Sequence, residues 1–452
     1  MAAMQDIAAK PPARGASPPT SAKGHRHSLR RRSLVALAFL APALFFLVVW
    51  IVYPTVYTIG RSLYDKTGAR FIGIDNYKTL FTTDILTVAI RNNAVWVAIA
   101  PATVTAIGLV FAVLTERIRW SVAFKTAVFM PMAISLFAAG VIWHIMYLQN
   151  PEQGAVNAAI GGVVQVFRPP GPLSGASPST RALTGSAAQG FTLRVPVHPG
   201  SVARLGLTAI PPQDVPKGAV AAVEPASSPG AVTGVVWRDF RPGGGKPGKV
   251  EKGELGLPGV TLRLADRTGT IVATTTSGPS GDFTFSGLAP GAYRVGISSK
   301  TFTPPFAGIP WLGTSLITPS TIIAYIWVWA GFAMVVIGAG LAAIPRDVLE
   351  AARTDGATEW QVFRRVTVPL LAPTLFTVFI TMIINVLKVF DIILSIAPGS
   401  SQAAGNVIAL AMWRTSFGGV NDFGLGSAIA VLLFLLVIPV LLLNVRRFRR
   451  ED

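Results

Sequence analysis

The chain has 452 residues, 51% of them hydrophobic and 13% charged, with no cysteine and a formal net charge of +18 from 39 Lys and Arg against 21 Asp and Glu. A water-soluble domain carries roughly a quarter charged residues, so this content, with a mean hydropathy of +0.54, excludes an ordinary cytosolic enzyme and a disordered chain alike. The missing cysteines exclude thiolate metal sites, disulfide frameworks and cysteine nucleophiles, while the basic balance suits either nucleic acid or a membrane protein with Lys and Arg on its cytoplasmic ends.

Residues 1–33 form a disordered basic tail with seven basic side chains and one acidic, ending on Arg30, Arg31 and Arg32. Residues 34–53 are an uncharged run that covers about 30 Å at the helical rise, one bilayer core. The run is too long for the apolar region of a cleaved signal, and it ends on Trp50 and Tyr53 as an interfacial belt does. Further apolar segments at 94–114, 126–147, 320–344, 374–396 and 424–444 predict six transmembrane helices, three of them within 34–160 and three within 301–445. Arg117, Arg119 and Lys125 lie between spans 2 and 3, and Arg446, Arg447, Arg449 and Arg450 lie in the tail 446–452. The positive-inside rule then places both termini and the loops after spans 2 and 4 in the cytoplasm. Ten of the eighteen net positive charges fall there, so the charge reads mostly as topology and no nucleic acid is implied. Pro42, Pro101 and Pro373 lie in or at the ends of spans, as tolerated kinks or as gating points.

Between spans 3 and 4 stands a segment far longer than a loop. Residues 161–230, rich in Pro, Gly, Ala and Ser, read as an external linker with one possible strand at 191–197. Residues 231–300 hold short β-rich runs separated by Gly, Pro and Asp turns, the pattern of a small extracytoplasmic β-sandwich. Within it, Gly243 to Val250 imitates a phosphate-binding loop, but Val250 stands where magnesium needs Ser or Thr, and no strand–helix context surrounds it. His25, His27, His144 and His198 are scattered, so neither a metal cluster nor a catalytic residue is proposed, and no cofactor.

Residues 345–370 form a loop after span 4. Val348, Leu349, Ala351 and Ala352 make an apolar stripe on a short helix that Asp355 and Gly356 end, and a second helix carrying Trp360, Val362, Phe363 and Val366 stops near Pro369. Such an amphipathic hairpin either docks a soluble partner or rests on lipid. In span 5, Asn385, Lys388 and Asp391 recur every three residues; they either face a cavity, or Lys388 and Asp391 neutralise each other as an i, i+3 pair.

Glu350-Ala351-Ala352, Asp355-Gly356-Ala357 and Val366-Thr367-Val368-Pro369 resemble the EAA loop of ABC-importer permeases. IGIDNYKTLF, RNNAVWVAIAP, KTAVFMPMAIS and IWHIMYLQNPEQGAVNAAI extend the resemblance to sugar permeases of the maltose and glycerol-phosphate type, and LKVFDIIL with DFGLGSAIAV is most similar to the alpha-glucoside permeases. The resemblance implies an all-α polytopic membrane protein with the ABC type I importer permease fold, placed in the cytoplasmic membrane. Its partners would be a second permease subunit, an ABC ATPase dimer, an extracytoplasmic solute-binding protein and membrane lipid. It further implies that Glu350, Ala351, Ala352, Asp355, Gly356 and Ala357 couple to the ATPase. Glu350 would pair with a basic group there or with Arg353 at i+3. Trp329, Phe332, Asn385, Val389 and Asp391 become the expected sugar lining, since amides and carboxylates take hydroxyl hydrogen bonds and aromatic faces cover apolar ring sides. The expected function is sugar import, of an oligosaccharide or alpha-glucoside, without an ATPase site of its own; the alternatives are a glycerol-phosphate permease and a membrane-anchored surface protein presenting the sandwich.

The insert, through GVVWRD, GLPGVTLRL and TTTSGPSGDFTFSGLAPGAYRV, is similar to the B-type sandwich repeats of bacterial surface proteins and to carboxypeptidase regulatory-like domains. Such repeats often carry a calcium loop. Here the loop from Asp239 to Glu254 is filled with Gly, Lys and Arg and supplies few oxygen ligands. The insert either helps dock the binding protein or is a tolerated insertion.

Overall fold

The structure, a computed structural model, describes residues 39–451, and of residues 117, 443–445 and 447–451 the backbone only. The basic tail 1–33 lies outside the described residues. The helices are α1 (Phe39–Arg61), α2 (Asp75–Thr82), α3 (Asp84–Arg117), α4 (Ser121–Phe129), α5 (Leu136–Met146), α6 (Ala155–Phe167), α7 (Ile317–Ala342), α8 (Arg346–Thr354), α9 (Glu359–Leu387), α10 (Asp391–Ile396), α11 (Ile408–Phe417) and α12 (Phe423–Glu451). Five of them, α1, α3, α7, α9 and α12, are long and apolar enough to cross a membrane, and α4 with α5 brings the count to six where that bent pair is taken as one span.

Three sequence expectations change. The third span is not one helix: a 3-10 turn at Met130–Ala133 and an extended Ile134 separate α4 from α5, which meet at 102°. Ser135 caps the new start by accepting the Ala138 N–H at 3.2 Å. The second helix of the 345–370 loop does not stop at Pro369 but runs on into the membrane as α9. A π turn at Phe363–Thr367 widens the backbone where the proline ring would strike the carbonyl four residues back, and α1 uses the same device at Val48–Val52, ahead of Pro54. The fifth span breaks: α9 ends at Leu387 with Lys388 as its C-cap, and α10 begins at Asp391. Lys388 and Asp391 form no ion pair with each other; each instead sits at a helix end whose dipole favours its sign.

The chain divides into two compact units, and the division falls inside α3 between Ile90 and Arg91. In the unit that includes residues 39–90 and 408–451, Leu80, Leu86, Ala89, Ile408, Ala411, Ala428 and Ile429 form the core. Asn76, buried, donates to the Ser62 and Tyr64 carbonyls at 2.8 and 2.9 Å.

In the unit of residues 91–407, α7 is central. Small residues let its neighbours approach: a Cβ on Gly108 of α3 would collide with Ala333, one on Gly331 with the Val128 carbonyl of α4, and one on Gly340 with the Thr374 side chain of α9. Val104, Ala112, Ala333, Met334, Ile337, Leu371, Val378 and Met382 fill the shared core. Helix α10 packs on α5 across Gly140, and His144 Nδ1 lies 2.8 Å from the Ile396 carbonyl.

Between α6 and α7 the chain builds ten strands: β1 (Ser177–Pro178), β2 (Leu183–Ser186), β3 (Gly190–Leu193), β4 (Val202–Thr208), β5 (Val232–Arg238), β6 (Leu255–Gly256), β7 (Thr261–Ala265), β8 (Ile271–Thr276), β9 (Asp282–Phe285) and β10 (Arg294–Ile297). One sheet runs β1-β4-β5-β6, with β9 sharing the edge of β5 beyond β6, and the other runs β2-β3-β10-β7-β8. Leu205, Leu207, Val232, Val236, Leu262, Leu264, Val295 and Phe302 belong to the one core of this sandwich. The expected linker 161–230 is therefore largely structured. Its first residues finish α6, and β1–β4 belong to the sandwich, with β4 pairing in parallel with β5 from Val202↔Thr233 to Leu207↔Arg238. The sandwich closes onto a two-stranded neck: the Gly171 N–H donates to the Thr303 carbonyl at 2.8 Å and the Leu173 N–H to the Thr301 carbonyl at 3.0 Å.

Candidate functional site

The expected coupling residues lie together. Helix α8 ends in a Schellman motif, with the Ala357 N–H on the Ala352 carbonyl at 3.1 Å and the Gly356 N–H on the Arg353 carbonyl at 3.0 Å. Gly356 takes φ +82°, and nothing lies within 4 Å of where its Cβ would stand, so the glycine serves backbone conformation alone. Two residues on, Thr358 opens α9 with a capping box: its N–H donates to Gln361 Oε1 at 2.8 Å and its hydroxyl accepts from the Gln361 N–H. Arg353 does not pair with Glu350 but donates across the turn to Glu359 Oε1 at 2.8 Å, which locks α8 to α9. Glu350, Ala351, Asp355 and Gly356 remain exposed, Ala352 and Ala357 are half-buried against the turn, and Trp360, 65% exposed, stacks on Phe363. Because α9 is continuous from Glu359 to Leu387, a push on this hairpin acts on a spanning helix without an intervening hinge loop.

The expected lining is only partly gathered. Trp329 and Phe332 meet edge-to-face at 5.7 Å on α7 and pack against the core that α3, α7 and α9 share. Asn385, near the end of α9, turns its Nδ2 back to the Thr381 carbonyl at 3.1 Å. Val389 is 3% exposed in the break, and Asp391 is half-buried at the start of α10. The break between α9 and α10 thus sets Asp391 on a different helix from Asn385.

The loop of the sandwich that would hold calcium does not fit the ion. Asp239 Oδ2 accepts the Gly248 N–H at 2.6 Å, Glu251 Oε2 the Lys246 N–H at 2.8 Å, and Glu254 Oε2 the Glu251 N–H at 2.8 Å. Arg241 lies 3.9 Å from Glu251. Backbone amides and a guanidinium occupy the oxygens a cation needs, and no group of three metal-ligating side chains occurs among the described residues. Burial, with Asp239 and Glu251 nearby, pushes the Glu254 carboxyl above its ordinary value.

Sequence reasoning missed the buried asparagines, two of which tie together segments far apart in the chain. Asn157 on α6 donates from Nδ2 to the Leu148 and Ile309 carbonyls at 2.9 and 3.0 Å, and its Oδ1 accepts from the Ile309 N–H at 2.8 Å and Trp311 Nε1 at 3.3 Å. Asn92 on α3 donates to the Ala404 and Asn406 carbonyls at 2.7 and 2.8 Å. Their signal was present, since an amide within an apolar helix has to find partners. Also missed was an aromatic cluster in which Trp143 meets Tyr147 and Trp327 at 5.0 and 5.8 Å and Tyr147 stacks on Trp311 at 5.7 Å.

Five membrane-length helices, a bent apolar pair and an exposed, capped hairpin running into one of those helices mark an integral membrane protein. Residues 284–450 match the family described as binding-protein-dependent transport system inner membrane component, and residues 230–308 match the SdrD B-like domain. The chain is 28% identical over 416 residues to the osmoprotective compounds uptake permease protein GgtC of Synechocystis sp., covering 92% of this chain and 99% of that one. It is 28% identical over 421 residues to the alpha-glucoside transport system permease protein AglF of Rhizobium meliloti, covering 92% and 82%. Among solved structures, a bacterial ABC transporter involved in the import of the acidic polysaccharide alginate superposes with a TM-score of 0.54 at 14% identity, over 94% of this chain and 99% of that one. The chain belongs to the ABC transporter permeases, integral inner-membrane transport components.

Proposed function

We propose that the protein is the sugar-translocating permease of a binding-protein-dependent ABC importer, with an oligosaccharide or alpha-glucoside as cargo. It works with a second permease subunit, an ABC ATPase dimer and a solute-binding protein, and both termini face the cytoplasm with α8. The hairpin carries this reading. Glu350, Ala351, Asp355 and Gly356 present an exposed surface held by a Schellman motif, a capping box and the Arg353–Glu359 pair. The surface suits a protein partner, and α9 continues from it to Leu387 without a loop. Closure of an ATPase dimer on α8 would tilt α9 and alternate access to a cavity between spans. The cargo reading draws on the AglF similarity and on Trp329, Phe332, Asn385, Val389 and Asp391 as the sugar lining. The β-sandwich is the natural contact for the binding protein.

The test is reconstitution in proteoliposomes with an ABC ATPase, a second permease subunit and a solute-binding protein from the same cell. The expected result is ATPase stimulation by binding protein loaded with an alpha-glucoside and not with glycerol phosphate. Asn385→Ala and Asp391→Ala should slow uptake while binding-protein affinity holds. Normal sugar uptake by both variants would remove these residues from the site, and stimulation by glycerol phosphate alone would overturn the sugar assignment.

A further inference from the structure

Helix α6 has no charged residue, and its face through Ala155, Ala159, Gly162, Val163 and Val166, at helical spacing, is exposed. Val166 and Phe167 are 78% and 84% exposed, among the most exposed apolar side chains described. At 13 residues the helix is about 20 Å long, too short to span a bilayer. Its other face is fixed to the protein by the four hydrogen bonds of Asn157 and by Gly161 against the Phe306 ring. These bonds reach Leu148, just past the end of α5, and Ile309 and Trp311, just ahead of α7. Trp143, Tyr147 and Trp311 lie near these same helix ends, and Trp327, farther along α7, packs on Trp143. At the C-terminal end of α6, Arg168 and Lys300 line one cavity of about 820 Å³ with Phe167 and Phe302, under the neck of the sandwich.

We infer that α6 is an interfacial membrane helix: its Val163–Val166–Phe167 face is immersed at the acyl boundary, and Arg168 and Lys300 hold the phosphate of an anionic phospholipid at the base of the neck. An apolar helix with basic groups at one end, tied through Asn157 to the segment that leads into the membrane-length helix α7, has the layout that such immersion requires. The anchored neck carries the sandwich at a fixed height above the bilayer, because the paired segments at Gly171–Thr303 and Leu173–Thr301 leave little freedom between them.

The absence of cysteine makes the test direct. Single Val163→Cys, Val166→Cys and Phe167→Cys variants of the full chain carry a nitroxide label in nanodiscs of phosphatidylglycerol or of phosphatidylcholine. An Ile271→Cys control lies on β8, at the sheet end away from the neck. The α6 labels are expected to collide with oxygen severalfold more than with a water-soluble nickel complex, and the control label to do the reverse. The Phe167 label should sit deeper in phosphatidylglycerol than in phosphatidylcholine, and Arg168→Gln with Lys300→Gln should abolish that difference. Labels open to the nickel complex would overturn the inference. Labels closed to both reagents would overturn it in favour of a protein partner on this face, and equal depth in the two lipids would overturn the phosphate assignment.

Discussion

Asn157 and Ile309 exchange a reciprocal pair of hydrogen bonds across 152 residues of sequence, Nδ2 to the Ile309 carbonyl at 3.0 Å and the Ile309 N–H to Oδ1 at 2.8 Å. The side-chain amide imitates a β-bridge, and it clips together the two ends of the segment that carries the sandwich. An inserted domain leaves a bundle intact when its ends are held close, and this amide holds them. Asn157→Ala strands the Ile309 N–H, Trp311 Nε1 and the Leu148 carbonyl around a position that is itself fully buried, while the Ile309 carbonyl keeps the Trp311 N–H at 2.9 Å. Each unpaired group costs 1–3 kcal/mol, so a loss on the order of 3 kcal/mol is expected. Thermal unfolding of the purified full chain checks it; an unchanged midpoint would show that the clip is dispensable.

Gly356→Val forces a β-branched residue into φ +82°, at about 1–2 kcal/mol of backbone strain with no clash to add. Gly356→Asn, tolerated in the left-handed region, should cost less. In the reconstituted importer, the valine variant is expected to hydrolyse ATP with reduced sugar uptake while the asparagine variant transports near normally. Equal uptake by both would detach the turn from coupling.

Gly108 and Ala333 bring α3 and α7 into backbone proximity. Gly108→Leu must push the helices apart, at about 1–3 kcal/mol for an overpacked contact. The expected outcome is a lowered melting temperature, checked in detergent against Gly338→Ala, whose nearest contact is an ordinary 4.0 Å.

Glu254, 2% exposed, holds its proton more tightly in the folded sandwich than in the unfolded chain. Its stabilising effect is complete below the ordinary value of 4.5 and is lost as pH rises through the raised folded value. Glu254→Gln, neutral throughout, should match the parent near the acid end and protect β5 better at neutral pH. Hydrogen exchange of the β5 peptide, corrected for intrinsic rates, reads this; a gap that is constant with pH would refute it.

The spans were legible in the sequence because a bilayer demands long uncharged runs, and the EAA-like hairpin because its turn needs Gly356 at a fixed place. The strands of 231–300, apart from the two-residue β6, were legible as short β-rich runs between Gly, Pro and Asp turns, and β3 falls on the strand expected at 191–197; β1 and β2, two and four residues long amid Pro and Gly, were not legible. In β4, Ala203, Leu205 and Leu207 alternate and would have revealed a strand, but its parallel partner β5 begins 24 residues beyond the end of β4, farther than any local pattern reaches.

The sequence alone determined that this chain carries several apolar runs of membrane length, where along the chain its charges cluster, and that a glycine turn stands at Gly356, since these follow from composition and from local backbone chemistry. Tertiary structure alone decided that α4 and α5 meet at 102°, that Lys388 and Asp391 sit at the ends of separate helices, that Arg353 chooses Glu359 over Glu350, and that Asn157 ties down the insert. Each depends on which group is within reach once the chain is packed, and burial then makes an unpaired polar group too costly to leave.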